Sequence, residues 1–304
     1  MIEYTVFANI KQTIKMYDVV ISIGGDMYTL SPSGEYSTNI SCIGNKCRKY
    51  SIPYIIWGCS IGPFESNLKA KKYYIEHLKN VTKIVAREYV TTNYLKNIGI
   101  YNNVVCAPDP AFYVTPMEMR KNVNVIKKIG VNLSPHSASY HYSNVEQAIS
   151  VQANEINRLI EKLNCEIVLL PHVVSHFELD NDYIYLDKIR KKIGKTSKVT
   201  IVNNDPGFVG IKKIIKDCDV VIASRMHCNI NAVTCGVPTI FLAYSQKAIG
   251  MVDFVYKDTD LLIDIKNFNA DLLVDKIKQT ILNEYNVKEY IENYDIKSLV
   301  KEIM

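Results

Sequence analysis

The run Ser224-Arg225-Met226-His227 places an arginine and a histidine two positions apart in this 304-residue chain. A guanidinium holds a carboxylate or phosphate through two parallel hydrogen bonds, and an imidazole can give or take a proton near neutral pH. The preceding Asp219-Val220-Val221-Ile222-Ala223 reads as a buried strand. Gly236 and Pro238 read as a stop, so Ser224 is expected to cap a helix running to about Cys235. A helix start adds unpaired N–H groups and a positive dipole end, which also favour an anion. Met226, Ile230 and Val233 mark an inward face, leaving Arg225 and His227 on its flanks and able to reach a cleft. The plainer reading is that Arg225 pairs with a carboxylate at a domain seam and His227 is structural.

Other strand ends carry similar groups. Asn132 to His136 (with Ser134), Pro171-His172 and Tyr244 to Lys247 all place polar or basic side chains where parallel sheets bind ligands. Ile21-Ser22-Ile23-Gly24-Gly25-Asp26 is a strand opening into two glycines; either the backbone approaches a ligand there or the chain makes a plain turn. Ala86-Arg87-Glu88 sets another arginine at a strand end, as a second anion clamp or as an ion-pair partner of Glu88. A metal site on His172 and His176 is disfavoured, because Pro171 interrupts a helix there and no matched carboxylates accompany the pair.

These positions need strands to carry them. Apolar runs rich in β-branched residues recur at 18–23, 53–57, 83–86, 103–106, 129–133, 166–170, 198–202, 219–223 and 239–242. Their uniform apolarity predicts parallel strands buried on both faces. Between them lie helical patterns, the clearest from Asn144 to Leu163 behind an Asn cap. The alternation predicts doubly wound α/β units. Thr115 to Asn124, without period, is the expected linker, giving domains 1–118 and 119–304 with a ligand cleft between them. After Asp260 the pattern is mostly helical, and a closing helix is expected to pack back on the first domain.

Composition narrows the classes. Hydrophobic residues at 48% and charged ones at 22% are globular proportions. The net charge of +5 comes from 36 basic and 31 acidic residues without a dense run, so no nucleic-acid partner is expected, while a mild positive field suits an anionic substrate. The eight cysteines form no CxxC pair and read as reduced core residues. With no apolar run long enough to span a bilayer, the expected setting is cytoplasmic, compatible with peripheral membrane contact.

Taken together, Ile21 to Asp26, Trp57 to Pro63, Arg87-Glu88 with Tyr94-Leu95, Pro108 to Phe112, Asn132-Leu133-Ser134, Leu170-Pro171-His172 and Ser224 to His227 with Gly236-Val237-Pro238 resemble the polysaccharide pyruvyl transferase family. The resemblance implies two Rossmann-like domains facing a cleft, as in GT-B glycosyltransferases, with phosphoenolpyruvate as donor and a sugar, in some cases lipid-linked, as acceptor. It implies that Arg225 and His227 bind the donor, that His227 is the general acid, and that Arg87 is a second clamp. Ser224, Asn132, Ser134, His172 and Lys247 would complete the donor site, and Gly25 and Asp26 the acceptor side. No metal or redox cofactor is required. The usual strand upstream of the first glycines is not evident, and Gly24-Gly25-Asp26 stands where three glycines are more usual. A glycosyltransferase or sugar-nucleotide epimerase on the same scaffold, or a noncatalytic anion- or sugar-binding protein, are the competing readings.

Overall fold

The computed structural model describes residues 9–31, 33–114, 125–194, 196–203, 205–244, 246–282 and 300–301. Two compact units divide between Tyr113 and Val114. The linker expected at Thr115 to Asn124, the 118/119 boundary and residues 283–299, within the stretch where a closing helix is expected, lie outside the described residues.

In the first unit a short helix α1 (Ile10–Ile14) precedes β1 (Val20–Ile23). Then follow α2 (Asn39–Lys49), β2 (Tyr54–Cys59), α3 (Leu68–Lys79), β3 (Lys83–Ala86), α4 (Tyr89–Asn97) and β4 (Val104–Cys106). The strands pair in parallel in the order β1-β2-β3-β4. Helices pack over β2, every residue of which is buried. The core gathers Tyr28, Tyr54, Tyr74, Phe64, Leu78, Ile84 and Leu95. Three of its polar tips satisfy one another: Tyr28 Oη lies 3.2 Å from Tyr54 Oη and 3.1 Å from His77 Nε2. Burial on both faces fails at β1, where Ile21 and Ile23 are 39% and 63% exposed because β1 stands at the sheet edge among the described strands. Residues 1–8 are not among those described.

The second unit comprises β5 (Lys128–Asn132), α5 (Pro135–Ser139), α6 (Val145–Leu163), β6 (Glu166–Leu169), α7 (Asp182–Lys192), β7 (Val199–Ile201), α8 (Gly207–Lys216), β8 (Val220–Ala223), α9 (Met226–Thr234), β9 (Thr239–Ala243), α10 (Gln246–Tyr256), β10 (Leu262–Asp264) and α11 (Ala270–Leu282). Its parallel sheet runs β10-β9-β8-β5-β6-β7, so the direction of winding reverses between β5 and β8. This is the doubly wound order, and its switch point is where such sheets bind ligands. α6 forms as its pattern dictates. Asn144 Oδ1 accepts from the Gln147 N–H at 2.8 Å, Asn164 ends the helix in the left-handed region at φ 49°, and Ala148, Ile149, Ala153, Ile156, Leu159 and Ile160 are buried. β10 is the one strand among the described residues of the mostly helical stretch expected after Asp260; at three residues it is too short for a two-residue period to emerge from the sequence.

Candidate functional site

β5 ends in Asn132 and β8 runs into Ser224, so both sides of the switch point carry polar residues. The Asn132 amide ties three strand ends together. Its Oδ1 accepts from the Arg225 N–H at 2.9 Å, and its Nδ2 donates to the Leu170 carbonyl at 2.8 Å and to Asp182 Oδ2 at 3.2 Å. Asn132 is fully buried, so these bonds also meet the cost of placing an amide inside.

Ser224 does not cap α9. Its hydroxyl donates instead toward Asn132 Oδ1 at 3.5 Å and Ser134 Oγ at 3.4 Å, and Arg225 takes the cap position without a side-chain capping bond. Ser134 caps the short α5, accepting from the Ser137 N–H at 3.0 Å. A one-sided α9 is likewise corrected: Cys228 to Thr234 are buried all round, and only the start of the segment is half open. Arg225 and His227 therefore reach the surface because they begin the helix. His227 is half-buried, so its imidazole is not walled into the interior.

Arg225 is held firmly. Its Nε and Nη2 donate to Asp182 Oδ1 at 3.1 and 2.9 Å, and Nη2 also donates to Asp180 Oδ1 at 2.6 Å. Asp182 is fully buried and its second oxygen accepts from the His172 and Val173 N–H groups, each at 3.1 Å. Asp180 is 54% exposed. Burial works against the guanidinium charge, but the Asp182 and Asp180 carboxylates outweigh it and hold the pKa above its ordinary value. The carboxylate pairing of the plainer reading is thus present, yet one edge of the fork is all it occupies. Nη1 lies outside these bonds, and one of the two partners is an exposed, displaceable carboxylate.

His172 follows β6 and is half-buried. Its Nε2 lies 3.2 Å from Asn231 Nδ2 on α9, while Nδ1 is a buried nitrogen with no hydrogen-bond partner among the described residues. Burial first, then the nearby His227 and Arg225, push its pKa down to about 4, so this ring is neutral at physiological pH. Lys247 falls in α10, but its side chain is outside the described residues. A pocket of about 860 Å3 opens beside His172, lined also by Tyr183, Asn203, Asp205 and Phe208.

In the first unit, Gly24 and Gly25 have φ of 71° and 78°. A Cβ at Gly24 would meet no atom within 4 Å, so backbone sign, not close approach, demands glycine there. Asp26 follows, its carboxylate 54% exposed and bordering a pocket of about 630 Å3 with Glu35, Tyr36 and Ser37. Arg87 is buried. Its Nε donates to Ser60 Oγ at 3.0 Å, Nη1 to Asp109 Oδ2 at 3.0 Å and Nη2 to Asp26 Oδ1 at 3.3 Å. Glu88 is not its hydrogen-bonded partner: that carboxylate caps α4 through the Thr91 N–H at 2.8 Å and binds the Thr91 hydroxyl. Asp180, Asp182, Asn231, Ser60 and Asp109 were not anticipated as site residues. Only Asp182, in an acidic first helical turn behind Asn181, and Asp109, between two prolines, carried any signal in the sequence.

Among the described residues no group of three His, Cys, Asp or Glu could hold a metal ion, and no helix is long and apolar enough to cross a membrane. A family model described as polysaccharide pyruvyl transferase matches residues 2–246. No curated protein matches the chain. Among solved structures, a putative UDP-N-acetylglucosamine 2-epimerase from Listeria monocytogenes aligns with a TM-score of 0.62 at 12% identity, over 99% of this chain and 80% of that one. The UDP-GlcNAc 2-epimerase of Methanocaldococcus jannaschii gives 0.60 at 13% identity, over 98% and 82%. Anabaena Alr3699/HepE, solved with UDP-glucose, gives 0.61 at 11%, over 97% and 80%. At such identities the likeness is one of fold: two Rossmann-like units of the GT-B kind.

Proposed function

Because the chain belongs to the polysaccharide pyruvyl transferase family, we propose that it moves the pyruvyl group of phosphoenolpyruvate onto a sugar of a glycan or glycan precursor as a ketal. The observation that carries this reading is the convergence of Arg225, His227 and His172 at the switch point of the second sheet. Donor phosphate or carboxylate docks on the free edge of the Arg225 guanidinium, displacing Asp180, while Asp182 keeps the fork oriented. His227 delivers its proton to the methylene carbon of the enol phosphate, making it a methyl group and leaving cationic character on the central carbon. A sugar hydroxyl adds to that carbon and passes its proton to the His227 imidazole. The carbon–oxygen bond to phosphate then breaks, a second hydroxyl of the same sugar closes the ketal, and its proton leaves with the phosphate.

His172 is neutral at physiological pH, so it would meet the donor as a hydrogen-bonding group through Nδ1 and not as a charge. Asn132, Ser134 and Ser224 hold the strand ends in register beneath it. In the first unit Arg87, pinned by Asp109, holds the Asp26 carboxylate, which with Gly25 is assigned to the acceptor side. The reaction as written draws on no metal or redox cofactor. A cytoplasmic setting at the membrane face, where a lipid-linked acceptor would be assembled, accords with it.

Incubation of the protein with phosphoenolpyruvate and a panel of sugars is expected to release phosphate and yield a product whose mass matches a pyruvate ketal, undiminished by chelators. Turnover with nucleotide sugars alone would replace this reading with that of an epimerase or glycosyltransferase. Binding without any turnover would make the chain a sugar- or anion-binding protein.

A further inference from the structure

The pocket beside His172 has no part in the chemistry above. It lies past the carboxyl ends of β6 and β7, and its volume of about 860 Å3 is within the range that holds a small organic ligand. Its lining decides which. The ionisable side chains on it, among the described residues, are His172, Tyr183 and Asp205. None is a standing cation, because His172 is kept neutral by its burial and by His227 and Arg225. No cationic side chain among the described residues lines the pocket; the Lys212 ammonium lies 5.3 Å from the Phe208 ring centroid but is buried and donates to the Val114 carbonyl at 3.0 Å, so beside Asp205 the lining itself favours a neutral ligand. What it offers instead is two aromatic side chains, Tyr183 and Phe208, and two oxygen acceptors. Asp205 Oδ1 already receives the Gly207 N–H at 2.9 Å, leaving Oδ2 outside that bond. Asn203 Oδ1 receives the Tyr183 hydroxyl at 3.0 Å, which holds the Tyr183 tip in place and leaves the Asn203 amide N–H groups to donate.

Aromatic side chains beside fixed acceptors and an amide donor match a ring with axial C–H groups on its face and hydroxyls on its rim. We propose that this pocket binds a neutral sugar ring of the glycan acceptor, packed on Phe208 and Tyr183 and hydrogen-bonded to Asp205 and Asn203. The inference rests on the reading of the acceptor as a sugar. It adds a second acceptor subsite on the donor-binding unit itself, distinct from the Asp26 pocket of the first unit. His172, lining this pocket and close enough to Arg225 and His227 to feel their charge, joins it to the donor end.

The test is saturation-transfer NMR on the full chain, with methyl β-D-galactopyranoside, methyl β-D-glucopyranoside and methyl N-acetyl-β-D-mannosaminide as separate probes and UDP as a fourth. At least one glycoside is expected to bind. Asp205→Asn and Phe208→Ala should each weaken it about tenfold, while calorimetric affinity for phosphoenolpyruvate stays within about twofold. Tyr183→Phe keeps the ring and loses only an exposed hydroxyl, so it guards against misfolding; it should weaken the glycoside by about threefold. Absence of glycoside binding, or binding unchanged in all three variants, overturns the proposal. So does UDP binding that Phe208→Ala abolishes, which would assign the pocket to a nucleotide. Phosphate release is read separately: its failure with glycoside binding intact removes the pyruvyl chemistry while the sugar pocket remains.

Discussion

At the scale of single residues, the proposed function gives Arg225 two ends to serve, one structural and one catalytic, and its substitutions should separate them. Asp182 is buried against the Nε–Nη2 edge, so Arg225→Ala strands a buried carboxylate and is expected to cost about 3–5 kcal/mol of stability, read by urea unfolding. The same substitution should raise KM for phosphoenolpyruvate and lower kcat together, whereas His227→Ala should lose kcat by about 100-fold or more and retain donor affinity. Asp180→Asn removes an exposed competitor for the guanidinium and should lower the donor KM by about threefold. Near-normal turnover in both Arg225→Ala and His227→Ala would remove the catalytic assignment.

His172 makes a second, independent prediction. Its pKa in the fold is about 4, below the ordinary 6.5, because the ring is buried near His227 and Arg225. As pH falls from 6.5 toward 4 the unfolded chain therefore takes up the proton first, and stability present above that window drains away across it. His77, buried near Arg48, acts in the same sense over the same window. His172→Gln should flatten part of the decline in unfolding free energy and His77→Gln another part. An unchanged pH slope in His172→Gln would show that the ring is not held neutral by its surroundings.

Among the elements, α6 shows most directly how local sequence makes structure. Asn144 meets one orphan N–H at its start, and the buried stripe from Ala148 to Ile160 anchors it on the sheet. Asn144→Ala should cost about 1 kcal/mol without touching activity, measured by chemical denaturation against turnover. α9 behaves otherwise. It is short and, from Cys228 on, buried all round, so no periodic stripe could have revealed its orientation, and the expected flanking placement of Arg225 and His227 rested on a face that does not exist. The β1 edge is a similar case, since an apolar strand at a sheet margin has the same residues as one at its centre and only its neighbours tell them apart.

For the molecule as a whole, the net charge of +5 supplies a weak positive field. The donor proposed here is a multiply charged anion, so its KM should rise with added salt as the screening length shrinks from about 10 Å at 0.1 M to about 3 Å at 1 M. A KM indifferent to salt would mean that local bonds at Arg225, not the protein's field, govern capture.

The nine strand runs, the long α6 helix, the α/β class and the polar groups at the strand ends were all readable from residue order, because hydrophobic period, capping and β-branched runs are local properties. So was the family, carried by short motifs in a fixed sequence along the chain. Tertiary structure alone decided that Arg225 leans on Asp180 and Asp182 from more than forty positions away, and that Arg87 pairs with Asp109 instead of its neighbour Glu88. It also decided that His172 is neutral and that a pocket with no lysine or arginine in its described lining opens beside it. Ion pairing, desolvation and cavity shape depend on which distant segments share a volume, and residue order does not state that.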